Sequence, residues 1–277
     1  MERREARSAR SILASGQRRD SIARPDDSMY LPLAGRTSSG SVRCPRQCDG
    51  SSDTHEHVED PYNRLACVGR MRHAKLYKPY ADFTMARLSW FVKNMLAVSD
   101  LRWLPGSVVE CGVWRGGMSA GMAEVLGPDR SYYVFDSFEG LPPVGEQDGE
   151  AAVRWQSDTE SPTYYDNCSA PIDFARRAME IARAPKHRLV NGWFEDTLPG
   201  FVPEQPIAVL RLDGDWYEST MTCLKGLVPH VCARGLVLID HYHAWDGCSL
   251  AAHDVLSQTH STARLSERYG ATALEVR

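Results

Sequence analysis

The sequence has no apolar run approaching the roughly 18–20 residues that a membrane-spanning helix needs, and this absence argues against an integral membrane protein. It also has no large excess of one charge: the formal net charge of the 277 residues is −4, which gives no indication of nucleic-acid binding. The N-terminus lacks the apolar core of a signal peptide. Eight cysteines are scattered along the chain, several at positions where buried, reduced thiols are usual. We therefore expect a protein of the reducing cytoplasm.

The overall composition is that of an ordinary globular protein, with 43% hydrophobic and 25% charged residues. Residues 1–60 differ from the rest, because Arg, Ser, Asp and Gly dominate and no hydrophobic period is sustained. We interpret them as a disordered leader or as the result of a misassigned start. Cys44, Cys48, His55 and His57 have zinc-capable side chains, but without a second framed pair they do not define a zinc motif.

The next segment, residues 61–106, is predicted to be helical. From Phe83 through Val98, apolar residues recur at helical spacing, which indicates an amphipathic helix. This helix is expected either to pack against the domain that follows or to act as a lid. In that domain, residues 107–277, five short apolar strands alternate with helices, a pattern typical of an α/β fold with a mostly parallel sheet.

A buried strand at residues 207–212 is the centre of this domain, and two acids follow it. Asp213 and Asp215 are separated by a single glycine. Ligands of open α/β sheets gather beyond the carboxyl ends of such strands. Two carboxylates at that place are suited to bind a hard cation or to accept a proton. The alternative is that Asp215 caps the next helix, although capping has no use for Asp213.

A glycine-rich turn follows the first strand of the domain. Its spacing, Glu110-x-Gly112-x-x-x-Gly116-Gly117, differs from the G-x-G-x-x-G that favours a pyrophosphate. Such glycines let the backbone approach a ligand closely, and the acid suits a ligand that carries an ammonium group. The second strand ends in Asp136, where a carboxylate can accept hydrogen bonds from a ribose diol. Together these features favour an adenosine-containing ligand.

The fifth strand, residues 235–239, also ends in metal-capable side chains, Asp240 and His241. If strands four and five are neighbours, Asp213, Asp240 and His241 lie at one edge of the sheet and leave room for water and substrate oxygens around a cation. The alternative is that His241 is a satisfied histidine or a cap. Residues 141–168, rich in proline, glycine and acids, are predicted to form an unstructured lid.

Four sequence blocks resemble the macrocin O-methyltransferase family of class I S-adenosylmethionine-dependent methyltransferases. They are residues 109–117, 135–143, 192–194 and 210–215, and the resemblance extends over residues 75–260. The family includes enzymes that methylate sugar hydroxyls of macrolide and aminocoumarin antibiotics. The resemblance implies a Rossmann-like fold, with a mostly parallel sheet of the seven-stranded type and helices on both faces.

The resemblance also implies roles for the site residues. S-adenosylmethionine would be bound by six residues of the first three strand ends: Glu110, Gly112, Gly116, Asp136, Ser137 and Trp193. Mg²⁺, or another divalent cation, would be bound by Asp213, Asp240 and His241. Asp215 would be the general base, so that Asp213 and Asp215 are the predicted catalytic pair. The acceptor would be a small-molecule glycoside or polyketide.

Two features depart from the family pattern. His241 stands where the family usually has a second acid, so one negative charge is lost and a softer cation than Mg²⁺ is favoured. The chain ends at Arg277 with only a weak strand predicted at residues 272–276, so we expect the final hairpin of the sheet to be incomplete.

Two other functions stay open on the sequence alone. A descendant that binds the cofactor without turnover would act as an interaction module, which the histidine and the short C-terminus favour and the retained Asp213 and Asp215 oppose. A dinucleotide-dependent oxidoreductase is the second alternative, opposed by the missing G-x-G-x-x-G. We expect no nucleic-acid or membrane partner, and assembly into a homo-oligomer is left open.

Overall fold

The computed structural model describes residues 61–276, and the leader prediction and the candidate zinc residues lie outside this range. One sheet of seven strands has the order β3-β2-β1-β4-β5-β7-β6. The strands are β1 (Ser107–Cys111), β2 (Tyr132–Asp136), β3 (His187–Asn191), β4 (Ile207–Leu212), β5 (Val231–Ile239), β6 (Arg264–Arg268) and β7 (Ala271–Glu275). The first five are parallel, and β7 is antiparallel to both β5 and β6. The predicted fold class is confirmed.

Helices cover both faces of the sheet. They are α1 (Pro61–Tyr77), α2 (Leu88–Ser99), α3 (Gly117–Leu126), α4 (Gly149–Ser157), α5 (Ile172–Ile181), α6 (Phe194–Thr197), α7 (Tyr217–Leu227) and α8 (Asp246–Gln258). Alternate strand residues point to opposite faces, as the strand period requires: Val108 belongs to the core packed with α2, α3 and α5, whereas Val109 belongs to the core packed with α7 and α8. No helix of the described range is long and apolar enough to cross a membrane.

The strand register brings four chain turns to one edge of the sheet. Cys111, the last residue of β1, pairs with Phe135 of β2 and with Leu212 of β4. Leu212 in turn pairs with Ile239 of β5. Because these parallel strands end level with one another, the residues that follow them lie side by side at the carboxyl edge.

The final hairpin is complete, so the expectation of an incomplete one is wrong. β6 and β7 pair along their full length, from Arg264 opposite Glu275 to Arg268 opposite Ala271. Arg268 also donates two hydrogen bonds to Glu275, at 3.1 and 3.0 Å. β6 escaped the sequence analysis because this edge strand, R-L-S-E-R, carries little apolar alternation.

The predicted start of the N-terminal helix and the predicted unstructured segment also need correction. The helix expected from Phe83 begins only at Leu88, because Thr84 and Arg87 have extended backbones and residues 85–86 form a bend. The Thr84 hydroxyl accepts a hydrogen bond from Ala86 N (3.1 Å) in this bend. Residues 84–86 supply part of the wall of the cleft described next. The 141–168 segment is not unstructured, since it contains α4.

Candidate active site

A cleft opens at the carboxyl edge of the sheet, with about 940 Å³ of empty space including the part open to solvent. The ends of β1, β2, β3, β4 and β5 line it, together with residues 84–86 and parts of the 141–168 segment. Every predicted site residue except Gly116 lines this cleft, namely Glu110, Gly112, Asp136, Ser137, Trp193, Asp213, Asp215, Asp240 and His241. The structure thus brings together side chains that are up to 131 residues apart (110 to 241) in the sequence.

Glu110 is buried at the base of the cleft, with 1% of its surface exposed. One carboxylate oxygen accepts a hydrogen bond from Arg211 (2.5 Å) and the other accepts one from the Ser119 hydroxyl. Burial raises the pKa of Glu110 to about 7, although Arg211 and Ser119 oppose the shift. The acid predicted to bind an ammonium group therefore already has two partners inside the protein.

The glycines of the first turn serve the fold as much as a ligand. Gly112 has a left-handed backbone (φ 82°), and a Cβ there would lie 2.0 Å from the carbonyl oxygen of Asp213. Only glycine permits this approach of the β1 and β4 turns. Gly116 (φ 79°) lies outside the cleft, where a Cβ would meet Ala175 of α5 at 2.9 Å.

Asp136 organises the turn beside it. Its Oδ2 accepts hydrogen bonds from the backbone N–H groups of Val113 (2.7 Å) and Trp114 (2.8 Å), and its Oδ1 accepts one from Phe138 (2.7 Å). Burial raises the pKa of Asp136 although all three bonds favour the ionised form. Oδ1 keeps room for a further hydroxyl donor, because a carboxylate oxygen accepts about two hydrogen bonds.

Two further predicted residues complete this side of the cleft. Ser137 is 7% exposed, and its hydroxyl donates to Gly140 O (3.0 Å) and accepts from Glu139 N (3.1 Å). It therefore shapes the turn that follows β2. Trp193 lines the cleft at the end of β3 and is partly exposed.

Arg211 is the site residue that the sequence analysis missed. It is 1% exposed in β4, and its guanidinium contacts three carboxylates: Glu110 at 2.5 Å, Asp213 at 3.0 Å and Asp240 at 2.8 Å. Burial would lower the pKa of Arg211, but the three acids raise it well above its ordinary value. A signal was available, because a lone arginine inside an apolar strand needs buried acidic partners.

Asp240 is held by Trp90 and Arg211, and its Oδ2 lies 4.0 Å from His241 Nδ1. Its Oδ1 accepts a hydrogen bond from the indole Nε1 of Trp90 in α2 (2.7 Å), and its Oδ2 pairs with Arg211. Asn94, one turn after Trp90, lies 3.4 Å from Nε of the same arginine. The N-terminal helical segment is thus hydrogen-bonded to the carboxyl edge at two points.

Asp213, Asp215 and His241 form a group whose donor atoms all lie within 4.8 Å of one another, close enough to share a metal ion. His241 Nδ1 lies 2.8 Å from Asp213 Oδ1 and 2.6 Å from Asp215 Oδ1. Burial alone would lower the pKa of His241, but Asp215 and Asp213 raise it well above the ordinary value. This group shares Asp213 and His241 with the predicted set and includes Asp215, whereas Asp240 pairs with Arg211.

Asp215 does not cap α7. Its backbone is left-handed (φ 56°), which aims its carboxylate at His241, and no side chain of the N-cap residue Trp216 caps the helix either. A left-handed backbone is costly for aspartate and persists where the surroundings hold it. The alternative that Asp215 caps α7 is therefore wrong.

Comparison with known proteins places the chain among methyltransferases of secondary metabolism. The family described as Macrocin-O-methyltransferase (TylF) matches residues 52–268, which begins before the 75–260 region of the recognised blocks. The 8-demethyl-8-(2,3-dimethoxy-alpha-L-rhamnosyl)-tetracenomycin-C 4'-O-methyltransferase of Streptomyces olivaceus is 42% identical over 175 residues, 60% of this chain and 62% of that protein. The match therefore spans less than two thirds of that relative.

A second relative covers more of the sequence. The demethyldecarbamoylnovobiocin O-methyltransferase of Streptomyces niveus is 37% identical over 234 residues, 83% of this chain and 86% of that protein. The structure of the O-methyltransferase NovP is similar with a TM-score of 0.57 and 29% identity, over 70% of this chain and 83% of NovP. On the extent of these matches, the chain belongs to the macrocin O-methyltransferase family.

Proposed function

We propose that the protein is an S-adenosylmethionine-dependent O-methyltransferase that requires a divalent cation and acts on a sugar hydroxyl of a secondary metabolite such as a macrolide. The observation that carries the proposal is the convergence of Asp213, Asp215 and His241 on the wall of a cleft that Glu110 and Asp136 also line. The two relatives are named for methylation of a rhamnosyl-tetracenomycin and of demethyldecarbamoylnovobiocin. An interaction module without turnover would have no use for an acid held as Asp215 is.

The residues around the first two strand ends fit the cofactor. Glu110 and Gly112 would hold its methionine end, Asp136 Oδ1 its ribose and Trp193 its adenine. Three features support the fit of these residues to the cofactor. The residues line one cleft, three backbone N–H groups donate to Asp136 and hold its turn in place, and Trp193 offers an aromatic ring. Bound S-adenosylmethionine supplies a methyl group on a sulfonium, which attack by an oxygen nucleophile transfers.

The Asp213, Asp215 and His241 group fits a divalent cation by its donor set, two carboxylate oxygens and one imidazole nitrogen. With one nitrogen ligand the group suits Mn²⁺ or Zn²⁺ better than an all-oxygen set would, while Mg²⁺ remains compatible with the acids. A cation bound there would polarise the acceptor hydroxyl and ease its deprotonation.

The protein's own side chains would then orient the acceptor and move its proton. Asp215 Oδ1 faces His241, so Oδ2 is the oxygen placed to accept the hydroxyl proton as general base. Arg211 offsets the negative charge of Asp213 and Glu110 and keeps both ionisable groups in fixed positions. Leu141, Pro142 and Cys168 of the 141–168 segment line the cleft and would help to exclude water.

Removal of divalent cations is the experiment that tests the proposal. After treatment with EDTA, transfer of a labelled methyl group to a panel of deoxysugar glycosides is expected to stop, and Mn²⁺ or Mg²⁺ should restore it. S-adenosylmethionine affinity, measured by calorimetry, should change little because strands β1 and β2 carry that half of the cleft. Methyl transfer that survives thorough chelation would contradict the cation requirement, and no transfer to any glycoside with cation present would contradict the acceptor class.

A further inference from the structure

The 141–168 segment is joined to the cation-binding group through three tryptophans. Trp155 of α4 packs edge-on against Trp216 and Trp245, with ring centroids 6.1 Å away in each case, and the latter two rings lie 5.2 Å apart. Trp216 and Trp245 are almost fully buried, at 1% and 8% exposure. We call these three residues the tryptophan cluster.

Each buried ring of the tryptophan cluster belongs to a turn that carries one ligand candidate. Trp216 directly follows Asp215, whose left-handed backbone must be held by its surroundings. Trp245 ends the turn that begins at His241, where its backbone N–H donates to His241 O (3.1 Å). Trp155 packs against both rings, and the two rings also contact each other, so the tryptophan cluster as a whole fixes the spacing of the two turns.

A buried carboxylate makes a second connection. Asp148, 2% exposed, accepts a hydrogen bond from the first N–H of α7, Tyr217 N (2.6 Å), and another from Gly145 N (2.7 Å). An acid at a helix N-terminus is favoured by the free N–H groups and by the helix dipole. Trp216 adds a third tie, because its indole N–H donates to Pro142 O (2.9 Å).

The first turn of α8 also packs closely against Asp148. A Cβ on Gly247 would lie 2.1 Å from Asp148 Oδ1, so only glycine fits there. The N-termini of α7 and α8, which follow Asp215 and His241 in the chain, thus meet on one carboxylate of the 141–168 segment.

We infer that Trp155 is a positioning residue, which holds Asp215 and His241 at the spacing that a shared cation needs by packing against both Trp216 and Trp245. This inference rests on the proposed function for the cation itself, but the positioning of the two turns can be measured without any metal. The cofactor half of the cleft, at Glu110 and Asp136, has no contact with the tryptophan cluster among the described ring contacts and hydrogen bonds.

The test compares Trp155→Ala with Trp155→Phe and with Val153→Ala, a matched control on an exposed position of the same helix. In the alanine variant, Mn²⁺ affinity measured by calorimetry is expected to fall about tenfold or more, as for supporting residues of metal sites. S-adenosylmethionine affinity should hardly change. The phenylalanine variant should retain most Mn²⁺ affinity, because the Trp155 indole N–H has no acceptor in the described part of the chain and only its ring packs.

Hydrogen exchange of the metal-free protein separates this inference from the proposed function. Peptides covering residues 213–217 and 241–246 are expected to exchange faster in Trp155→Ala than in the wild type, while peptides of β1 and β2 stay unchanged. Equal exchange in those two turns, or a uniform rise over the whole chain, would overturn the positioning role. If the wild type binds no Mn²⁺ but the two turns still loosen selectively, the cation proposal fails and the positioning role stands.

Discussion

Replacement of Arg211 by methionine is expected to lower the free energy of unfolding by about 3–5 kcal/mol, because it leaves buried carboxylates without their cation. Glu110 and Asp240, with 1% and 3% of their side chains exposed, both lose an ion pair shorter than 3 Å, and Asp213 loses one at 3.0 Å. Methionine fills a similar volume, so lost packing contributes little. Urea unfolding monitored by circular dichroism measures the change.

Arg176→Met is the matched control for this variant. Arg176 pairs with Asp173 on the surface of α5, with about half of its side chain exposed, and the stability change should stay within about 0.5 kcal/mol. If Arg211→Met were no more destabilising than Arg176→Met, the buried cation would not be what holds the acids of the cleft together.

Substitution of Asp215 by asparagine is expected to slow methyl transfer by about 10²–10⁴-fold, because the proposed general base is lost. Cation affinity should also fall, since Asp215 belongs to the donor group with Asp213 and His241. S-adenosylmethionine affinity should persist, because no cofactor-binding residue is altered. Steady-state kinetics at saturating cation, combined with calorimetry, distinguish these effects.

Asp173→Asn, at an exposed aspartate of α5, controls for the change of charge and should leave both quantities as they are. Wild-type turnover by Asp215→Asn at saturating cation would remove Asp215 from the proton-transfer step. A matching loss of cofactor affinity would show instead that the substitution disturbs the whole cleft.

Much of the fold follows from local sequence signals. β4 has the bounds that the sequence predicts, because it is a short apolar run followed by a turn. The carboxyl edge was also predictable, because acids in the last residues of β1 and β2 and directly after β4 and β5 must meet if those strands are parallel neighbours. β6 and α4 were missed because one is polar and the other lies in a segment dominated by proline, glycine and acids.

The pairing of side chains within the cleft could not be read from the sequence in the same way. Whether Asp240 or Asp215 joins His241 depends on Trp90, which lies 150 residues before Asp240 and reaches it only through the packing of α2. It depends equally on the left-handed backbone of Asp215. Neither the Trp90 contact nor the backbone conformation of Asp215 can be recognised in the residues around Asp240 and His241.

The location of a bound cation tests the central claim most directly. Crystals grown with Mn²⁺ and S-adenosylhomocysteine would reveal the metal by its anomalous scattering. The account predicts one peak within bonding distance of Asp213, Asp215 and His241, with Asp240 still hydrogen-bonded to Trp90. A peak bonded to Asp240, or no peak in the cleft at saturating Mn²⁺, would contradict it.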